Sequence, residues 1–168
     1  LESGQSYLWW RGDGRDYESE TQHGGDAWYL TTTRQSGTPA VIRARQHDGV
    51  LEWESSIDAE PVLLERLRLD DDLEAIRERT PNHPLLEQAY SAVPGMRVVR
   101  DPPFGTLISF ICSAQMRVSR IHEMQQALRA QFGTPVEFDG KTYHAYPTPT
   151  QLAAASEAEL RELNLGYR

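Results

Sequence analysis

The sequence predicts an α+β fold: an antiparallel sheet over residues 1–58, linking helices over 61–98, and part of a helical domain over 99–168. Three observations predict it. The opening residues hold short runs rich in Trp, Tyr, Val, Ile and Thr, separated by Gly- and Asp-containing turn clusters. From Pro61 onward the apolar spacing changes to the helical period. Between Phe104 and Cys112, apolar side chains recur as a single stripe at Phe104, Leu107, Ile108, Ile111 and Cys112.

The expected strands are Ser6 to Arg11, Ala27 to Thr33, Ala40 to Arg45 and Val50 to Trp53. Gly12-Asp13-Gly14, Gly24-Gly25, Ser36-Gly37 and His47-Asp48-Gly49 separate them, and links this short imply antiparallel pairing. The pattern is expected to be helical from Pro61 onward. Asp70-Asp71-Asp72 opens the segment through Arg79, because carboxylates favour a helix N-terminus. Pro84 to Val93 is another helix. Asp101 is expected to cap a buried helix, with Pro102 and Pro103 in its opening positions. A polar corner at Ser113-Ala114-Gln115 follows. The next helix carries Val118, Ile121, Gln125, Leu128 and Phe132 on one face and stops at Gly133. Phe138 to Tyr143 is expected to be a short irregular turn region. Thr148-Pro149 starts a short helix, and Ser156 with Glu159 forms a capping box for the last.

Composition narrows the setting. No run approaches the 18 or more apolar residues of a membrane span, and no signal-peptide pattern opens the chain. Cys112 is the single cysteine, which rules out a disulfide framework within the chain and fits a reducing, intracellular setting. The chain opens on Leu1 and closes on Arg168, and both ends are expected to be cut. Net charge is −8, and Lys141 is the only lysine among 17 basic residues. An acidic, arginine-dominated composition suits a halophile, where surface carboxylate keeps proteins soluble in high salt. On composition alone an ordinary acidic protein is the favoured reading, since net charge constrains partners only loosely.

Five short motifs stand in order along the chain: Ser3-Gly4-Gln5-Ser6-Tyr7-Leu8-Trp9, Ser109-Phe110-Ile111-Cys112-Ser113, Arg120-Ile121, Thr142-Tyr143-His144-Ala145-Tyr146-Pro147, and Leu160 through Arg168 ending Leu165-Gly166-Tyr167-Arg168. In this register the chain resembles the amino-terminal portion of the 8-oxoguanine DNA glycosylase and abasic-site lyase family, in the helix-hairpin-helix superfamily, and its composition is haloarchaeal-like. The resemblance implies a TBP-like sheet domain followed by part of an all-α helix-hairpin-helix glycosylase domain. It also implies excision of 8-oxoguanine opposite cytosine by base flipping and a lysine Schiff base, with no cofactor and no metal. The catalytic lysine and aspartate would follow Arg168, so no catalytic residue is expected in this chain. The implied partner is double-stranded DNA containing oxidised guanine, met by a monomer at the chromosome of an archaeon and away from any membrane.

Residue by residue, the resemblance assigns four tasks. Gly4 would read the lesion: its carbonyl accepts from N7–H of the oxidised base, where guanine has only a lone pair, and glycine permits the close approach. A glycine at a strand bulge is compatible with the same role. Gln115 would fill the space left by the extruded base; several family members carry Asn there, while related glycosylases use Gln after Ser-Ala. A corner glutamine facing water is the alternative. Tyr167 matches an aromatic wedge inserted beside the lesion, against a simple packed aromatic. Arg120 and Arg168 match two arginines that hold the orphaned cytosine, whose pairing edge offers acceptors to a rigid fork of donors. Spacing alone leaves Arg120 open as a solvated helix arginine.

Lys141 lies in Asp139-Gly140-Lys141, an expected exposed turn without the desolvated or cationic pocket that activates a lysine. His23, His47, His83, His122 and His144 are scattered without metal-ligand spacing, and His144 is expected to anchor its turn. Two other classes stay open: a sister glycosylase for alkylated or other bases, and a non-catalytic DNA-binding module derived from the family.

Overall fold

The computed structural model describes residues 5–14 and 27–166. They fall into two compact units, one of the described residues up to Ala59 together with those from Asp101 on, and the other of residues 60–100.

In the first unit a four-stranded antiparallel sheet runs in the order β1 (Trp10–Arg11), β2 (Tyr29–Gln35), β3 (Thr38–His47), β4 (Val50–Ser55). Two-residue turns join β2 to β3 and β3 to β4. Ser36-Gly37 and Asp48-Gly49 both take positive φ, at 50° and 84° and at 49° and 78°, the conformation whose twist matches a tight hairpin. Ala40, Val41, Ile42 and Ala44 of β3 are fully buried and make it the centre of the sheet. The first expected strand is much shorter than Ser6 to Arg11. Its early backbone groups bond to side chains instead: Leu8 N–H donates to Ser6 Oγ at 3.2 Å, and Leu8 O accepts from Thr31 Oγ1 at 3.1 Å and Arg129 Nη2 at 2.7 Å.

The second unit holds α1 (Glu60–Leu67), α2 (Leu73–Arg79) and α3 (Pro84–Ala92). Asp72 caps α2 by accepting from Ala75 N–H at 2.9 Å, the last residue of the expected acidic opening. His83 caps α3, its Nδ1 accepting from Leu85 N–H at 3.2 Å. Arg68 bonds Asp71 through Nε at 2.9 Å and holds that carboxyl below the usual carboxylate range.

Back in the first unit come α4 (Pro103–Ser113), α5 (Val118–Phe132), β5 (Pro135–Phe138), β6 (Lys141–His144), α6 (Pro149–Ala153) and α7 (Glu157–Glu162). Both late helices carry capping boxes, Thr148 with Gln151 and Ser156 with Glu159. Phe138 to Tyr143, expected as an irregular turn, is an antiparallel hairpin; Asp139-Gly140, with φ of 50° and 69°, is its turn. The described sheet strands and the helices after Asp101 fall in the first unit.

Two expectations for α4 fail for physical reasons. Asp101 does not cap it: Pro102 holds the cap position without a side-chain bond, and the Asp101 carboxylate accepts from the Ser6 hydroxyl instead. Nor is the whole of the predicted apolar stripe buried: Ile108 and Cys112 meet the core, but the inward face is shifted toward the small residues. Gly105, Ser109 and Cys112 are buried, while Leu107 and Ile111 are 55% and 44% exposed. Small residues let the helix approach closely, and a Cβ on Gly105 would come within 2.7 Å of Leu8 Cδ1. Cys112, Ile121, Met124 and Leu128 form the core of this layer, with Leu163 and Leu165 packed against it.

Candidate nucleic-acid interface

The corner between α4 and α5 is tight. Met116 N–H donates to Ser113 O at 3.1 Å and Ser113 Oγ to Phe110 O at 2.8 Å, which closes the last turn of α4. Gln115 then takes φ of 60° with its side chain exposed. A non-glycine residue in the left-handed region costs of order 1–3 kcal/mol, and such positions cluster where ligands are met. Asn tolerates this conformation better than Gln, so the asparagine common at this place in the resembled family is the less strained choice.

Five residues on, Arg120 stands half-exposed in the first turn of α5. Its Nη1 donates to Glu123 Oε2 at 2.5 Å and its Nη2 to Asn164 O at 2.9 Å. The second bond joins segments 44 residues apart in the chain. Asn164 and Gly166 both take positive φ, at 53° and 85°, so the chain turns sharply after α7. A Cβ on Gly166 would come within 2.9 Å of Met116 Cε, so this turn also abuts the corner. Gln115, Arg120 and the Leu165-Gly166 turn are thereby gathered at one end of the helical layer, presenting an amide with donors and acceptors beside a guanidinium fork. Gly4, Tyr167 and Arg168 lie outside the described residues. The turn that leads directly into Tyr167 and Arg168 is described, and so is the segment that follows Gly4.

That segment is held closely. Ser6, Leu8 and Trp9 are buried, and the Tyr7 ring meets the His122 ring edge-on at 5.5 Å. Arg129, which the sequence reasoning passed over, lies beneath it at 2% exposure, with its guanidinium 4.4 Å from the centre of the Trp10 ring. A signal for it existed: Arg129 falls four residues after Gln125 on the face of α5 already assigned to the core. Burial pushes the Tyr146 hydroxyl and the Cys112 thiol above their ordinary ranges; Arg129 opposes the first shift and a hydrogen bond with Gln125 the second. Lys141 is exposed at the start of β6, beside the Asp139-Gly140 turn.

No protein-family model matches the chain. It is similar to an N-glycosylase/DNA lyase of Saccharomyces cerevisiae, 30% identical across 100% of this chain and 45% of the yeast protein. Among solved structures, it is similar to MBOgg1 in complex with a low-affinity DNA ligand, 25% identical with a TM-score of 0.77, over 99% of this chain and 53% of that one. The 8-oxoguanine glycosylase/lyase of Clostridium acetobutylicum, bound to double-stranded DNA with cytosine opposite 8-oxoguanine, shares the fold: TM-score 0.76, 24% identity, 98% of this chain and 52% of that one. The chain thus spans about half the length of the proteins it matches.

Proposed function

Because this chain is related along its whole length to a yeast N-glycosylase/DNA lyase, we propose that it is the amino-terminal portion of a base-excision repair enzyme that removes 8-oxoguanine opposite cytosine and then cleaves the abasic strand. The observation that carries the proposal is the bond from Arg120 to Asn164 O, which draws the α4–α5 corner against the turn that precedes Tyr167 and Arg168.

The steps divide among the residues as follows. The damaged base leaves the stack, and Gln115 enters the space with an amide able to pair with either donors or acceptors. Tyr167 wedges between neighbouring bases and holds the kink. Arg120 and Arg168 bond the acceptor edge of the orphaned cytosine. The Gly4 carbonyl accepts from N7–H of the extruded base. A lysine amine and an aspartate beyond residue 168 carry out the displacement and the Schiff-base elimination. The exposed apolar side chains Leu107, Phe110 and Ile111 of α4 give the remainder of such a protein a face to cover.

Among the described residues no helix is long and apolar enough to cross a membrane. The protein works as a monomer on chromosomal DNA in the cytoplasm of an archaeon, in high salt, without cofactor or metal. The sheet of 1–58, the linking helices of 61–98 and the helical portion of 99–168 are its proposed amino-terminal divisions.

The test compares the whole protein with residues 1–168 on a duplex containing 8-oxoguanine opposite cytosine. The whole protein is expected to excise the base and to be trapped on DNA by borohydride. Residues 1–168 alone are expected to do neither, because a nucleophilic lysine needs a pocket and Lys141 is exposed. Trapping of residues 1–168 that disappears in Lys141→Ala would place the chemistry in this chain and overturn the assignment.

Gly4→Ala supplies a second test, in the whole protein. A β-carbon would hold the extruded base away from the carbonyl. Single-turnover excision of 8-oxoguanine should fall while affinity for abasic-site DNA, which has no base to read, and thermal melting stay unchanged. Unaltered excision would remove the carbonyl from lesion reading, and collapsed melting would leave Gly4 as a structural glycine.

A further inference from the structure

The amino-terminal segment is fixed at an unusual point. Leu8 O does not enter the sheet ladder; it accepts from Thr31 Oγ1 at 3.1 Å and from Arg129 Nη2 at 2.7 Å. The other end of the same guanidinium donates from Nη1 to Thr32 Oγ1 at 3.1 Å. Its plane lies against two aromatic rings, with centres 4.4 Å away at Trp10 and 5.3 Å away at Tyr146. Tyr146 is itself held, its hydroxyl donating to Gln125 Oε1 at 2.6 Å and its backbone N–H to Thr32 Oγ1 at 3.2 Å.

Burying a cation at 2% exposure is costly, and an apolar side chain of similar volume often fills such a space at equal or better stability. What arginine adds is direction. A planar fork lying against two rings sends one donor to Thr32 and another to Leu8 O. Leu8 N–H in turn donates to Ser6 Oγ, and the Ser6 hydroxyl bonds Asp101. The course of the chain from Ser6 to Leu8 is therefore set by side chains, and Gly4 stands two residues before Ser6 in the sequence.

We propose that Arg129 is a positioning residue for lesion reading: by holding Leu8 O it fixes Ser6 to Leu8, the described residues that come after Gly4 in the chain. This rests on the function proposed above. It also gives α5 a second task. Arg120 stands nine residues before Arg129 on the same helix, roughly 13.5 Å along its axis. One rigid element thus spaces the cytosine-holding group from the anchor of the lesion-reading segment.

The experiment uses the whole protein with Arg129→Met, Arg129→Lys and Thr32→Val, measuring single-turnover excision of 8-oxoguanine opposite cytosine, affinity for abasic-site DNA, and melting. Arg129→Met should slow excision roughly 10- to 100-fold, the scale of an ångström-sized misplacement, and leave abasic-site affinity unchanged. Arg129→Lys keeps a donor for Leu8 O and should recover part of the rate; Thr32→Val loosens the other end of the fork, together with the Tyr146 N–H bond to the same hydroxyl, and should fall between wild type and Met. Excision that drops together with abasic-site affinity, or a Lys variant no faster than Met, makes Arg129 structural only and overturns the proposal. If Arg129→Met does not fold, Lys and Thr32→Val carry the decision: slowed excision at unchanged abasic-site affinity supports the proposal, and any other pattern overturns it. An active wild type with unaltered variants overturns this proposal alone. A wild type that leaves 8-oxoguanine in place overturns the proposed function, and this with it.

Discussion

Arg120→Ala in the whole protein is expected to lower the preference for cytosine opposite the lesion by roughly 5- to 150-fold, the equivalent of about 1–3 kcal/mol for one edge-reading contact. Two of its guanidinium donors are engaged, with Glu123 and with the Asn164 carbonyl, and the fork carries five N–H groups in all. The bond to Asn164 holds the group in place, and the remaining donors can meet the acceptor edge of an unpaired cytosine. Cytosine offers two adjacent acceptors there, O2 and N3, whereas an orphaned adenine or guanine offers only one and would meet the fork less well. Folding should be little affected, because the ion pair with Glu123 is half-exposed and such pairs contribute about 0–1 kcal/mol. The measurement is single-turnover excision of 8-oxoguanine placed opposite each of the four bases, beside melting. A loss of equal size opposite every base would mean that Arg120 holds phosphate and that the cytosine assignment is wrong. The same experiment on Arg168→Ala tests the second arginine.

Gly133→Ala is expected to destabilise the protein by more than about 3 kcal/mol, beyond the usual range for overpacking. The backbone at Gly133 has an ordinary extended conformation, with φ of −78° and ψ of 160°, so the requirement is one of space. A Cβ would lie 2.2 Å from Ala145 O and 2.4 Å from Arg129 O. Both are backbone atoms, and no rotamer change can move them. Relief would have to break the end of α5, where Gly133 N–H donates to Arg129 O at 2.8 Å, or shift the strand end, where Ala145 N–H donates to Thr134 O at 2.8 Å. Against a typical total stability of about 5–15 kcal/mol, a loss of this size should show as a large fall in the urea midpoint. Gly95→Ala is the control: a Cβ there meets nothing within 4 Å, and the change should stay within about 0.5 kcal/mol. Equal midpoints for the two variants would mean that the packing of α5 against Ala145 is wrong.

Much of the fold was legible before any coordinates. The capping box at Ser156 and the Asp72 cap appear where expected because each is a bond between residues three apart. The hairpin of β5 and β6 escaped notice because Pro135-Val136-Glu137-Phe138 is short and opens on proline, although its Asp-Gly turn is the same device that closes β3 onto β4. Asp101 followed a sound local rule and lost to a distant partner, the Ser6 hydroxyl. Of the proposed site, Gln115 and Arg120 were identified from motif alone, while Arg129 went unnoticed because helical periodicity marks a buried face without saying what a buried cation would bond there.

The sequence by itself determined the kind and order of most elements, most of their turns and caps, and the motifs by which the chain resembles DNA glycosylases, since these depend on residues a few positions apart. Tertiary structure alone decided three further things. It buried the small-residue face of α4 and left Leu107 and Ile111 exposed. It carried Arg120 to the carbonyl of Asn164, and Arg129 to that of Leu8, across separations of 44 and 121 residues. The reason is physical. An apolar stripe records how much surface wants to leave water, and an arginine how many donors it brings. Which surface covers the stripe, and which acceptor meets the donors, is set by the packing of α5 under the strand and beside the last turn.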